Sequence, residues 1–258
     1  MTAEVRVLRR PRGLELYVLA LAVCGYATAA IAGLTVRSPL GHDESVYALR
    51  ARDLDMGWST RTDGWTDYRA PGLPVLLNGL GRVIGIHVTS SRLLVVFLGA
   101  VVIGGVWVLG RIFGLGLAGA FGALLMALAS GFVYSSTTLL ADVPGAAFAM
   151  VAVCVYAIEA RQPVLRWSFL LLPLLTVAAT TARFGAPFMI GAGLFAVALV
   201  SLPSILRERN WIWLAQSILL AVGVALSAAL VLLTDLVSVG SLTPAEANRN
   251  LVDGNGLT

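Results

Sequence analysis

From Leu93 to Gly110 the chain runs without one ionisable side chain, and comparable apolar stretches recur at 14–36, interrupted only by Glu15, and at 115–134, 184–202 and 212–234. A helix rises 1.5 Å per residue, so about 20 apolar residues cross the roughly 30 Å of a bilayer's hydrocarbon. No other feature constrains the fold as much. Hydrocarbon offers backbone groups no hydrogen-bond partner, so a spanning segment is either a helix or a strand of a closed barrel. No segment here alternates with period two over about ten residues, as a barrel strand would. Two shorter runs, 143–158 and 168–182, sit between polar punctuation and lack a water-facing polar stripe, so they read as short or tilted spans. The expectation is all-α: a polytopic transmembrane helical bundle of about seven spans, forming a single membrane domain over residues 1–258.

Composition narrows the partners. With 58% hydrophobic and 12% charged residues, the chain exceeds the apolar share of a soluble domain. Its net charge of +4 comes from scattered arginines. Nucleic acid would require basic residues gathered on one solvated face, so no nucleic-acid partner is expected, and membrane lipid with anionic or phosphate-bearing headgroups fits better. Cys24 and Cys154 lie inside apolar runs, where a thiol behaves as a small hydrophobe. Arg6, Arg9, Arg10 and Arg12 precede a full-length apolar run without a cleavage-site pattern, which reads as an uncleaved anchor. That density of arginine beside the first span places the N-terminus in the cytoplasm and the loop at 37–91 outside a multi-pass protein of the cell membrane.

The 37–91 loop is the large polar insertion in an otherwise apolar chain. It opens with Gly41-His42-Asp43-Glu44-Ser45-Val46-Tyr47. Ser45 to Met56 has the spacing of a short interfacial helix, broken by Gly57 and by Thr62-Asp63-Gly64. Pro71 to Ile86 is apolar over about half a membrane thickness, which suits an interfacial or re-entrant helix. The chain ends in a polar tail over 239–258.

Carboxylates beside a membrane helix cost desolvation energy and point to a site. Asp43 and Glu44 either cap the following helix from a solvated loop or belong to such a site. Asp142 lies on the short connection 135–144 that shares their side of the bundle. It either starts the next helix, with Pro144 in the first turn, or joins Asp43, and the two roles are compatible. Arg69 and Arg183 are the cationic counterparts. A lone interfacial arginine snorkels to water or lipid phosphate, whereas two beside carboxylates can hold a lipid phosphate in guanidinium forks. His42, next to Asp43, is a weak candidate metal ligand, because no cluster with zinc-like spacing accompanies it. Tyr47 and Tyr68, with Trp58 and Trp65, either stack on a sugar ring or form part of an interfacial aromatic belt.

In order and spacing these motifs resemble the GT-C class of polytopic, lipid-linked sugar transferases, specifically the branch with protein O-mannosyltransferases and the aminoarabinose transferase of lipid A (glycosyltransferase family 39-like). His42-Asp43-Glu44-Ser45-Val46-Tyr47-Ala48 followed by Ala51-Arg52-Asp53-Leu54 resembles the signature after that family's first helix. Arg69-Ala70-Pro71-Gly72-Leu73-Pro74 resembles its basic-x-Pro segment, and Thr181-Ala182-Arg183-Phe184 resembles an arginine of a later outer loop. The resemblance covers roughly residues 14–200. It implies a polyprenyl-phosphate sugar donor, transfer to an acceptor hydroxyl on the extracytoplasmic face, and inversion at the sugar carbon. Carried over by position, Asp43 is the catalytic base or a metal ligand, with Glu44 its neighbour and Asp142 the second loop carboxylate. Arg69 and Arg183 bind donor phosphate, Tyr47 and Tyr68 contact substrate, and a divalent metal ion, where used, meets Asp43, Asp142 and His42. Members of the class usually carry more helices than are read here, so the chain matches an N-terminal half, for which a partner subunit supplying the missing helices is one expectation. The competing readings are a non-catalytic membrane scaffold that binds lipid-linked sugar and a small-solute transporter. Transport calls for ionisable or helix-breaking residues near mid-membrane, and the ionisable residues of this chain cluster at helix ends.

Overall fold

The computed structural model describes residues 11, 13–36, 40–54, 72–85, 87–159, 170–183, 185–208, 215, 218 and 221–229. Within them the chain is helical and no strand occurs, as the absence of period-two patterning requires. In order the helices are α1 (Gly13–Val36), α2 (His42–Asp53), α3 (Gly72–Ile84), α4 (Val88–Ile112), α5 (Gly116–Leu128), α6 (Ser130–Ser136), α7 (Asp142–Glu159), α8 (Leu171–Ala182) and α9 (Ala186–Glu208).

Among the described residues three helices are long and apolar enough to cross a membrane: α1, α4 and α7. A fourth span results if α5 and α6 count as one, although they meet at a 70° bend. The count of about seven is therefore not reached in this part of the chain; α3, α8 and the 186–201 stretch of α9 are apolar but shorter. The run at 143–158, read as a short span, is the full helix α7. The run at 115–134 is broken where Ala129 leaves helical geometry, with ψ at 109°.

Helix α4 is the axis of the bundle. It stops where Gly114 takes φ +77° and the Leu115 N–H bonds back to the Gly110 carbonyl at 2.7 Å. Glycine adopts that left-handed turn without the steric cost of a Cβ. The chain then returns as α5, packed so closely that a Cβ on Gly110 would lie 2.5 Å from the Gly119 Cα. In lipid there is no hydrophobic force between helices, and small residues of this kind permit the backbone approach that holds them.

Three apolar clusters fill the bundle. The first joins α1, α4 and α5 through Ala22, Tyr26, Ile103 and Ala123. Tyr26 donates to the Val96 carbonyl at 2.9 Å, and Gly99 leaves room for its hydroxyl. The second joins α7, α8 and α9 to the foot of α4 through Ile112, Tyr156, Leu172 and Ile190. The third joins α2, α3, the head of α4 and the start of α7 through Tyr47, Leu73, Leu77, Val95, Leu139 and Val143.

Ion pairs mark both ends of α4. At one end Arg111 donates to Glu15 of α1 at 3.0 Å and stacks over Trp107, its guanidinium carbon 5.3 Å from the ring. At the other end Arg92 pairs with Glu44 of α2 at 2.8 Å. The two arginines stand about 29 Å apart along the helix at 1.5 Å per residue, which matches the thickness of hydrocarbon.

Replacing Gly110 by Ala will force α4 and α5 apart and cost about 1–3 kcal/mol. Gly104→Ala, which meets nothing within 4 Å, serves as the control. A lower melting temperature in detergent for the first variant alone is the expected result.

Candidate functional site

Helix α2 begins earlier than its apolar spacing indicates, at His42 instead of Ser45. Successive residues turn by about 100°, so this start places Glu44, Tyr47 and Ala51 on one buried stripe, with exposures of 6%, 7% and 0%, and leaves Asp43 exposed in the first turn. Two neighbouring carboxylates thus acquire opposite environments.

Among the described residues Glu44 accepts four hydrogen bonds. The Arg92 guanidinium donates through Nε to Oε1 at 3.0 Å and through Nη2 to Oε2 at 2.8 Å. The Gly41 N–H reaches Oε2 at 2.9 Å, and the Leu139 N–H reaches Oε1 at 2.8 Å. Burial alone would raise the pKa of this group. The hydrogen bonds from Arg92, Gly41 and Leu139 and the Arg92 charge outweigh it and hold the carboxyl below its ordinary value. Glu44, expected beside Asp43 as a reacting group, is engaged by the fold: it ties α2 to α4 and to the 137–141 connection. Tyr47, expected to contact substrate, packs among Leu73, Leu139 and Val143 in the core.

That connection is itself held back onto α6. Thr137 Oγ1 donates to the Tyr134 carbonyl and Thr138 Oγ1 to the Ser135 carbonyl, each at 2.9 Å. Asp142 opens α7 three residues after Leu139. Its carboxylate forms an ion pair with Arg183, both side chains being nearly half-exposed. Arg183 stands in extended backbone at the junction of α8 and α9, its own N–H bonded to Ala179 and its carbonyl accepting from Ala186, both at 2.9 Å. Space for it depends on Gly145, where a Cβ would come within 2.8 Å of the Arg183 Cβ.

The described end of the motif that begins with Arg69, from Gly72 onward, arrives at the same place. Gly72, the first residue of α3, lies against the backbone of Thr181 and Ala182, so near that a Cβ would sit 2.6 Å from the Ala182 nitrogen. Asn78, further along α3, donates to the Ala51 carbonyl at 2.8 Å and locks α3 to α2. The segments at 41–47, 72–78, 139–145 and 181–183, scattered in sequence, thus meet at one end of the bundle. Asp43 belongs to the same end, because its neighbour Glu44 is bonded to the strand of chain that leads into Asp142.

Arg69 and Tyr68 lie outside the described residues, as do Trp58 and Trp65 and the side chain of His42. Among the described residues no group of three potential ligands that could hold a metal gathers. Asp142 already faces a guanidinium, an arrangement that does not fit a divalent cation. Sequence reasoning overlooked Arg92, although an arginine at the head of an uncharged span is costly unless paired, and that cost is a usable signal. Gly72 and Gly145 gave no such signal, since their role lies in distant backbone.

Compared with family models, with curated proteins and with solved structures, the chain matches none.

Chemically, the cluster puts an exposed carboxylate, Asp43, and a half-exposed guanidinium, Arg183, at the same end of the bundle. Glu44→Gln leaves Arg92 buried without its counter-charge and is expected to lose about 3–5 kcal/mol. Because the folded-state value of Glu44 is depressed, its contribution is fully present above the ordinary carboxylate range and is lost as pH falls through the depressed value. Thermal melting of the parent should therefore drop on acidification, and the Gln variant should lack that component of the drop.

Proposed function

We propose that the chain is a membrane glycosyltransferase of GT-C type, or the catalytic half of one, which moves a sugar from a polyprenyl-phosphate donor to an acceptor hydroxyl with inversion. The observation that carries this reading is the meeting, at one bundle end, of the 41–47 segment, Gly72 at the described end of the second motif, Arg183 and Asp142. Such convergence is what a single site requires, and motifs matched by chance have no reason to produce it. In this reading the cluster faces the extracytoplasmic side of the cell membrane and the N-terminus lies in the cytoplasm, in keeping with the arginine density before α1. A partner subunit would supply further wall to the donor groove.

Each residue then has a chemical part. An acceptor hydroxyl is a weak nucleophile until a base removes its proton, and Asp43, exposed in the first turn of α2, is the base. The proton passes to its carboxylate as the hydroxyl oxygen bonds the anomeric carbon and the bond to the lipid phosphate breaks. Departure of that phosphate is eased by a cation, and Arg183 supplies it, with Arg69 assigned the same part by resemblance. Glu44 acts at one remove by fixing the start of α2 and hence the place of Asp43.

A lipid-binding scaffold without catalysis is the second reading. The pairing of Arg183 with Asp142 favours it, since a neutralised arginine is a poorer stabiliser of a leaving phosphate.

Purified protein assayed with a polyprenyl-phosphate sugar separates the two. Asp43→Asn is expected to lower kcat by about 10²–10⁴, while Arg183→Gln mainly raises KM for the donor. Transfer that persists in the Asn variant removes the assigned base, and a parent that binds donor without transferring sugar supports the scaffold.

A further inference from the structure

With no anionic ligand bound, Arg183 is already paired with Asp142. A guanidinium presents its donors in a fixed fork that matches a planar or tetrahedral oxyanion. Asp142 meets that fork at Nη1, where a phosphate oxygen would also bind. The pair is nearly half-exposed, in contrast to the buried Glu44–Arg92 pair at the same end, so water and solute can reach it. Its two halves come from different elements, the first residue of α7 and the junction between α8 and α9. Separating them requires no unwinding of either helix, because the backbone of Arg183 is held independently through Ala179 and Ala186.

Resting on the proposed anion-binding part of Arg183, we infer that Asp142 is an internal competitor: it meets the Arg183 fork in the absence of ligand and is displaced by the phosphate group of the ligand. The consequence is a threshold. A phosphate must contribute more than the carboxylate it replaces, which screens out weak anions such as chloride or carboxylated solutes and leaves a phosphate group as the recognised chemistry. Displacement also frees the Asp142 carboxylate at the moment the anion is bound.

An exposed pair of this kind is worth about 0.2–1 kcal/mol. Removing the competitor should therefore tighten phosphate binding by up to about fivefold, taking 1.4 kcal/mol per tenfold. The experiment compares parent, Asp142→Asn, Arg183→Gln and the double variant, embedded in phosphatidylcholine nanodiscs. Two probes are titrated separately: polyprenyl phosphate and inorganic phosphate. Asparagine keeps a polar side chain at the start of α7, and an unchanged melting temperature verifies that the fold persists.

Tighter binding in Asp142→Asn that disappears when Arg183 is also replaced is the expected result, as in a coupled pair. A gain with both probes assigns recognition to the phosphate group itself, and a gain with one probe assigns it to that source. Unchanged or weaker binding in Asp142→Asn overturns the inference, as does a gain retained in the double variant. If Arg183→Gln binds as tightly as the parent, the anion-binding part of the proposed function fails with it. If Arg183→Gln loses binding while Asp142→Asn is neutral, only the competition fails. Loss of transfer activity alone leaves the competition standing, since binding is read without turnover.

Discussion

One buried carboxylate organises the polar end of this bundle. Glu44 receives donors from its own helix start, from the head of α4 and from the chain leading into α7. A charge removed from water is tolerated only when its lone pairs are met, so the three elements must arrive together or the carboxylate is left exposed to an apolar surround. The third apolar cluster grows around that point, with Tyr47, Leu73, Leu139 and Val143 in contact. Everything exposed at this end, Asp43 and the Asp142–Arg183 pair included, is mounted on that framework.

The division of labour between adjacent acids follows from helix geometry. Asp43 and Glu44 are equivalent in composition and differ by one residue, about 100° of rotation. That rotation commits one to the interior and leaves the other at the surface. A site whose reactive group is exposed gains from a neighbour that is not, because the buried residue fixes where the exposed one stands. The same logic holds across the cluster, where Gly72 and Gly145 admit close backbone or side-chain approach and thereby bring Arg183 to Asp142.

Much of this was legible in the sequence, for reasons that can be named. The helical class follows from apolar runs that tolerate no other secondary structure in lipid, and α1, α4 and α7 coincide with runs read from hydropathy. Asp142 and Arg183, both at helix junctions between apolar runs, meet in an ion pair. The failures are equally physical. The break at Ala129 falls in Leu-Ala-Ser-Gly, whose Ser-Gly pair is a local kink signal that a count of apolar residues passes over. The role of Glu44 was hidden because its partners are 48 and 95 residues away, and separation of that order carries no periodic trace. The start of α2 was set three residues late because Gly41, not a side-chain acceptor, precedes it, the capping bond coming from Glu44 inside the helix.

The spacing of the two ion pairs along α4 carries one further implication. Arg92 and Arg111 act as fixed collars on a rod of uncharged residues, and neither can slide inward without dragging a guanidinium and its partner carboxylate into oil. The protein therefore has a preferred bilayer gauge. In a thick, sterol-rich membrane the lipid would have to pinch around it, at a fraction of a kcal/mol for each ångström of mismatch, whereas a bilayer of average thickness receives it without deformation.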